Sequence, residues 1–278
     1  MKQLTVLAVL VELLLAPATL AAPTFVSAGT EGFPAFSIDP GIPAGDANND
    51  ILLLIYYSPD NVAHGVSDGG YTKKLDLTNS TTDRLTVWWK RRSGTQTAPS
   101  CTGSVNDGAI CTISAWRGLI ASGDPFDVTS TLQVTSTGAG TTYTVTGITT
   151  VANNAMVLIV TTCSRPDCNF YSASGGTATT QAYSYGNGNG VANNDEVLYG
   201  VKATAGTTGT TTIETDSNIT DIISTTFSLK PVVTFKPNLP LLWASLRAPL
   251  YWPFRVPLST VIFSSAARAN PMEETWLP

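Results

Sequence analysis

With one histidine in 278 residues and 13% charged side chains, this chain is poor in the groups that do most acid-base and metal chemistry. It also lacks any stretch in which apolar residues recur with a helical period over three turns, so helices are not expected. There is no excess of positive charge: 15 Lys and Arg stand against 20 Asp and Glu, for a net charge of -5. A balance this acidic and this diffuse argues against nucleic acid as a partner. The paired C-x2-C knuckles of a zinc site are missing, since the four cysteines are spaced C-x9-C and C-x4-C. No metal or other cofactor is expected. Beyond the N-terminal residues no segment reads as a membrane span, because the apolar region 239–263 is broken by repeated proline and by Arg247 and Arg255.

Hydrophobic residues make up 43% of the chain, and Gly, Thr, Ser and Asn fill much of the rest, a composition suited to short strands joined by polar turns. Three Ala-Asn-Asn steps run into apolar, β-branched stretches: Ala47-Asn48-Asn49 before 51–57, Ala152-Asn153-Asn154 before 156–162, and Ala192-Asn193-Asn194 before 197–201. Asn tolerates left-handed backbone angles and bonds its own backbone, so each step reads as a tight turn delivering the chain into a strand. A longer echo follows, in which 85–90 and 111–116 share a layout with 197–202 and 223–228. The pattern predicts two related β halves.

Strands are expected near 24–28, 51–58, 73–77, 84–91, 110–117, 132–136, 142–145, 156–162, 179–185, 196–203, 210–215 and 222–229. The runs 51–55 and 156–160 are apolar on both faces and belong in the middle of their sheets, with Leu53, Ile55, Val157, Leu158 and Val160 as core. The predicted fold is all-β: a two-sheet antiparallel sandwich, jelly-roll-like, over residues 23–231.

Residues 1–22 read as an export signal. Lys2 gives a basic start, 4–16 an apolar stretch and Thr19-Leu20-Ala21 or Leu20-Ala21-Ala22 a cleavage site; Glu12 inside the apolar stretch and Pro23 next to the new terminus count against it, and the alternative is an apolar anchor helix that is retained. The even cysteine count fits an oxidising compartment, with Cys101 paired to Cys111 across an Asn106-Asp107-Gly108 hairpin turn and Cys163 to Cys168 across a short Pro-containing turn; in a cytoplasm the same four would be reduced, partly buried thiols. After Lys230 the prolines at 231, 237, 240, 249, 253 and 257 forbid helix interior and central strand. Residues 232–278 are therefore expected to form an extended arm that docks on a partner through Trp243, Tyr251, Trp252 and Phe254, or else a terminus without fixed structure.

Motifs for chemistry are present in outline and wrong in context. Gly65-Val66-Ser67-Asp68-Gly69 has the G-x-S-x-G spacing of a nucleophile elbow with His64 beside it, but it joins two strands rather than a strand and a helix. Asp46-Ala47-Asn48-Asn49-Asp50 begins like a calcium loop, yet Ile51 and Tyr57 stand where the glycine and the closing glutamate belong. Asp195 or Glu196 with Glu214 or Asp216 would be the carboxylates for glycoside cleavage, if two of them faced one bond. Binding has better material in Tyr183, Tyr185, Asn187 and Asn189, whose aromatic, Asn and Gly composition suits a recognition loop; the same residues also fit a hairpin whose tyrosines alternate into the sheet.

Several stretches carry a resemblance: Pro23-Thr24-Phe25-Val26-Ser27-Ala28-Gly29, Ala44-Gly45-Asp46 with Ile51-Leu52-Leu53-Leu54, Leu85-Thr86-Val87-Trp88-Trp89-Lys90, Ile113-Ser114-Ala115-Trp116-Arg117-Gly118 with Asp124-Pro125-Phe126-Asp127, and Phe227-Ser228-Leu229-Lys230-Pro231. Together they resemble a β-sandwich module found in tailed-phage virion proteins and related phage-like proteins. The resemblance covers residues 23–231 and implies a non-enzymatic fibre, spike or surface-decoration component without a cofactor. Its partners would be other virion proteins or copies of itself, with host-surface glycans as attachment ligands, in a virion or extracellular setting. The export-type start and the cysteines support a second expectation, a secreted bacterial surface or carbohydrate-binding module.

Overall fold

The computed structural model of the chain describes residues 19–20, 22–32, 38–67, 70–79, 83–104, 108–130, 133–134, 141–163, 170–186, 194–215 and 222–234. All belong to one compact unit, Pro17–Lys236. The expected arm lies outside the described residues from 235 onward, and with it Trp243, Tyr251, Trp252 and Phe254. Among the described residues the regular structure is entirely β. The first half of the chain gives β1 (Thr19–Leu20), β2 (Thr24–Ala28), β3 (Ile51–Ser58), β4 (Gly65–Val66), β5 (Thr72–Asn79), β6 (Asp83–Arg91), β7 (Cys101–Thr102) and β8 (Ile110–Arg117). The second gives β9 (Phe126–Thr129), β10 (Gln133–Val134), β11 (Thr142–Val145), β12 (Thr149–Thr150), β13 (Ala155–Cys163) and β14 (Phe170–Ser174). It ends with β15 (Thr180–Gly186), β16 (Asn194–Lys202), β17 (Gly206–Thr207), β18 (Thr211–Thr215), β19 (Ile222–Leu229) and β20 (Val233–Thr234).

Two antiparallel sheets make the sandwich, one in the order β2-β8-β3-β6-β5 and the other β10-β19-β13-β16-β15, with β9 also paired to β19. Each sheet is completed from one stretch of chain before the next begins. A jelly roll passes consecutive strands from sheet to sheet, so the expected jelly-roll order is not the one traced. Taking β9 as the counterpart of β2, both sheets follow one plan: first strand at an edge, then fifth, second, fourth and third.

The Ala-Asn-Asn turns set the register of that plan. Asn49 and Asn154 are the non-glycine residues with positive φ among those described, at 73° and 55°, the left-handed angles that Asn accepts more readily than most residues. Their amides donate to the carbonyls of Arg92 and Ala203, at the far ends of β6 and β16. The Asn before each, Asn48 or Asn153, accepts from the amide two residues beyond that carbonyl, Gly94 or Ala205. The third copy differs, because Asn194 opens β16, the neighbour of a central strand. With Asn49 and Asn154 matched, Tyr57 corresponds to Thr162, and their partners Leu85 and Asp195 correspond to each other. The echo read from sequence is thus two residues off in β16. It is one off in β19, where Leu229 rather than Ser228 matches Trp116.

Every residue of β3 and of β13 is buried. Their inward side chains, including Leu53, Ile55, Leu158 and Val160, join Trp116, Phe227 and Leu229 in the core between the sheets. Their outward ones form two further cores. Leu52, Leu54 and Tyr56 lie under Ile38, Cys101, Val66 and Tyr71, while Val157 and Ile159 lie under Tyr143, Val145 and Ile213 of a three-stranded sheet, β11-β18-β14. The described unit is therefore four layers deep at its centre. Glycine permits the covering layers to approach: a Cβ on Gly29 would stand 1.8 Å from the carbonyl oxygen of Gly41, and one on Gly200 1.9 Å from that of Thr177.

A disulfide joins Cys101 to Cys111, their Cα atoms 6.5 Å apart. It does not close a paired hairpin, because β7 pairs with β4, so the bond ties the small β4-β7 ribbon to the main sheet. Cys163 is also disulfide-bonded; Cys168, expected as its partner, lies outside the described residues.

Two stability measurements follow from this packing. Replacing the fully buried Leu53 by Ala removes side-chain contacts at the centre of the sandwich, and chemical denaturation is expected to show a loss of about 2 to 5 kcal/mol. The double replacement Cys101→Ser and Cys111→Ser frees a loop with a sequence separation of 10. It is expected to lower stability by at most about 2 to 3 kcal/mol, read in the same assay under non-reducing conditions.

Candidate functional site

Alternation along a strand decides which side chains reach the space between the sheets. In β16 Asp195 has the same parity as Val197, Tyr199 and Val201, which line the sandwich core, so Asp195 is carried inward. Tyr183 and Tyr185, two residues apart on β15, face the same way. Read from sequence as candidate ligand contacts on a recognition loop, they are instead packed against the core, with rings 5.1 Å apart. Tyr183 is 8% exposed and its hydroxyl lies 3.2 Å from Thr112 Oγ1 of β8. The Tyr185 hydroxyl donates to the Gly29 carbonyl at 2.6 Å. Both hydroxyls therefore link one sheet to the other, and this is the arrangement in which the tyrosines alternate into the sheet. Asn187 and Asn189 lie outside the described residues.

Around these tyrosines is a polar pocket inside an apolar core. Asp195 is fully buried, and its Oδ2 accepts from Thr112 Oγ1 at 3.0 Å. Its Oδ1 has no hydrogen-bond partner, and neither have Oγ1 of Thr162, directly opposite on β13, and Oε2 of Glu31. Glu31 follows β2 on the other sheet, next to Gly32, which bridges to Cys111 beside Thr112. The residue as a whole is half-exposed, but the oxygen it points inward is buried. Burial raises the Asp195 carboxyl to about 7, with the nearby charge of Glu31 adding to the shift against the Thr112 hydrogen bond. Burial likewise raises Glu31 to about 7. No cationic group contributes to either shift. In the corresponding place of the first sheet stands Leu85, so the fold itself does not require an acid here.

Glu196 faces the opposite side of β16. Its Oε1 accepts from Gln181 Nε2 at 2.9 Å while Oε2 has no partner, and burial raises it too to about 7. Asp195 and Glu196 thus open onto different layers. Glu214 is exposed on β18 and accepts from Ser172, and Asp216 lies outside the described residues. Among the described residues, Asp195, Glu196 and Glu214 face different ways and do not flank one bond.

His64 stacks on Tyr56 with ring centroids 3.7 Å apart and is buried. Its hydroxyl neighbour is Ser58, with Oγ 2.7 Å from Nε2, and not Ser67 of the elbow-like motif, which exchanges bonds with Ser100. Burial pushes the imidazole down to about 3, helped by the Arg84 charge. Two arrangements of protons fit these contacts, and each leaves one out. With Nδ1 protonated, Thr86 donates to the Tyr56 carbonyl at 3.4 Å, Ser58 donates to Nε2 and the Ser58 bond to the Asp60 carbonyl is lost. With Nε2 protonated, Trp88 Nε1 donates to Thr86 Oγ1 (3.2 Å), Thr86 donates to Nδ1 (2.9 Å), Nε2–H donates to Ser58 Oγ, Ser58 donates to the Asp60 carbonyl at 3.0 Å and the Tyr56 carbonyl is left out. In that tautomer the histidine gives a hydrogen bond to the serine and has no lone pair with which to activate it. The calcium-like turn is also occupied from within, because Asp46 pairs with Arg92 at 2.6 Å and Asp50 with Arg117 at 2.7 Å.

Compared with known proteins, the chain matches no family model, no curated protein and no solved structure.

Asp195 was legible as a carboxylate and not as a buried one; the signal available was its inward parity with Val197 and Tyr199. Its raised carboxyl carries a pH dependence. The native state holds the proton more tightly than the unfolded chain, so the stabilisation is full below about pH 4 and is lost as pH rises through about 7. In buffer free of divalent cations, the unfolding free energy is expected to fall from pH 5 to pH 8, with Asp195 contributing on the order of 2 to 3 kcal/mol and Glu31 and Glu196 adding to the fall, and Asp195→Asn should reduce that slope by its own share.

Proposed function

We propose that this chain is a non-enzymatic structural protein of a virion, a fibre, spike or surface-decoration component whose work is rigid display and attachment. The observation that carries the reading is the four-layer construction, in which both central strands are buried on both faces. Such a scaffold has little internal freedom and presents its edges and loops in fixed positions. The elbow-like Ser67 exchanges bonds with Ser100 while His64 meets Ser58 and Thr86, which supports a structural part for that region. The resemblance of residues 23–231 to a phage virion module supports the setting. Its partners are other virion proteins or further copies of the chain, with host-surface glycans as the attachment ligands.

A second reading, a secreted bacterial surface or carbohydrate-binding module, is favoured by the oxidised state of Cys101, Cys111 and Cys163, because disulfides persist in exported proteins. One experiment separates the two. Density-gradient fractions from the producing culture are probed by mass spectrometry. Co-sedimentation of the chain with particles is the expected result, whereas a chain found only as soluble protein in the medium, starting at Ala22 or Pro23, would replace the virion reading with the secreted one.

A further inference from the structure

We propose that Glu31, Asp195 and Thr162 form a binding site for a divalent cation of the calcium class, set between the two sheets. Three buried oxygens there lack a partner: Asp195 Oδ1, Glu31 Oε2 and Thr162 Oγ1. Asp195 and Thr162 are both fully buried and stand directly opposite each other on β16 and β13, a placement that puts their Cβ atoms about 4.5 to 5.5 Å apart. Neither is within hydrogen-bond reach of the other, so a third atom between them is needed to satisfy both. Glu31 approaches from the other sheet closely enough for its charge to act on Asp195.

The chemistry selects the occupant. A single water would donate to both carboxylates and accept from the Thr162 hydroxyl, but it leaves two buried carboxylates with no cationic side chain to offset them. A hard divalent ion meets that demand, neutralising the pair and accepting oxygen ligands in a flexible geometry. No three His, Cys, Asp or Glu side chains converge among the described residues, so the site supplies two carboxylates and a neutral hydroxyl, and water completes the shell. Calcium tolerates such a mixed set, whereas magnesium demands near-ideal octahedral geometry. With so few protein ligands the affinity belongs in the range of extracellular modules, about 10⁻⁴ to 10⁻³ M. Oxidised Cys101 and Cys111 are compatible with that compartment. Because Glu31 and Asp195 come from different sheets, the ion would act as a clasp across the sandwich.

The test is thermal unfolding of the full chain after chelation and dialysis, at pH 7.5, with CaCl2, MgCl2 or NaCl at matched ionic strength. Calcium at tenfold its dissociation constant is expected to raise the midpoint by about 3 to 6 °C, saturably, with magnesium giving less and sodium nothing. Asp195→Asn keeps an oxygen for the Thr112 hydroxyl and adds N–H donors for the orphaned acceptors, so it should fold yet lose the calcium response. Glu31→Gln, at a half-exposed position, should weaken calcium binding at least tenfold by calorimetric titration, and it decides the question alone if the first variant fails to fold. An unchanged midpoint for the wild type in calcium, or equal calcium shifts in the wild type and in Glu31→Gln, would overturn the site.

Discussion

The structure depends on one constraint: β3 and β13 are apolar on both faces, so neither sheet can leave its outer side to water. A two-layer sandwich would expose Leu52, Leu54, Val157 and Ile159, each nearly or fully buried here. The cost of leaving such side chains in solvent is about 1.5 to 3 kcal/mol apiece, which is enough to recruit further layers. The β11-β18-β14 sheet answers that demand on one side. On the other the answer is the stretch around Ile38 and Ile42 together with the β4-β7 ribbon. A ribbon of two-residue strands has little backbone pairing of its own, and the Cys101–Cys111 bond makes its attachment covalent.

Much of this architecture is written locally, and the strands show why. β3, β6, β8, β13, β16 and β19 are long, β-branched or aromatic runs bounded by turn residues, and their positions follow from period and composition. β14 was not legible: Phe170–Ser174 is short and mostly exposed, and three of its five residues are serine or alanine, so only its pairing with β18 makes it a strand. The Asn turns marked where the central strands begin, but not the register of their partners. That register depends on bonds across the sheet, Asn48 to Gly94 and Asn153 to Ala205, between residues far apart in sequence. Nor does a sequence of strands say that a disulfide joins two sheets rather than two arms of a hairpin.

The polar pocket was legible in its parts and not as a whole. Tyr183 and Tyr185 were singled out for their composition, and Asp195 for its charge. What unites them is the inward face they share with Val197, a property of period two that becomes decisive only once the opposite sheet is in place. Glu31 could not be placed by any periodicity, since it follows an edge strand and reaches the pocket through the bridge between Gly32 and Cys111. His64 offers the reverse case. A conspicuous motif drew attention to Ser67, while the serine that the histidine touches, Ser58, belongs to β3 and carries no motif.

The comparison between the halves gives the pocket its weight. Leu85 and Asp195 occupy the same place on strands of the same order, and Tyr57 and Thr162 are their matched neighbours. In the first sheet the place is apolar and Tyr57 donates its hydroxyl to Asp83 at 2.8 Å. In the second sheet a carboxyl and a hydroxyl stand in the core with acceptors unfilled. An unpaired buried acceptor costs about 1 to 3 kcal/mol, and more when charged, so the second half is less stable at this spot than the plan it shares with the first would allow. Packing does not explain an acid where leucine serves, and neither does solubility, since the group is fully buried. A proton at low pH completes the carboxyl, and on the calcium proposal a cation does so at neutral pH, so that the joint between the two sheets would be tightest when one of them is bound.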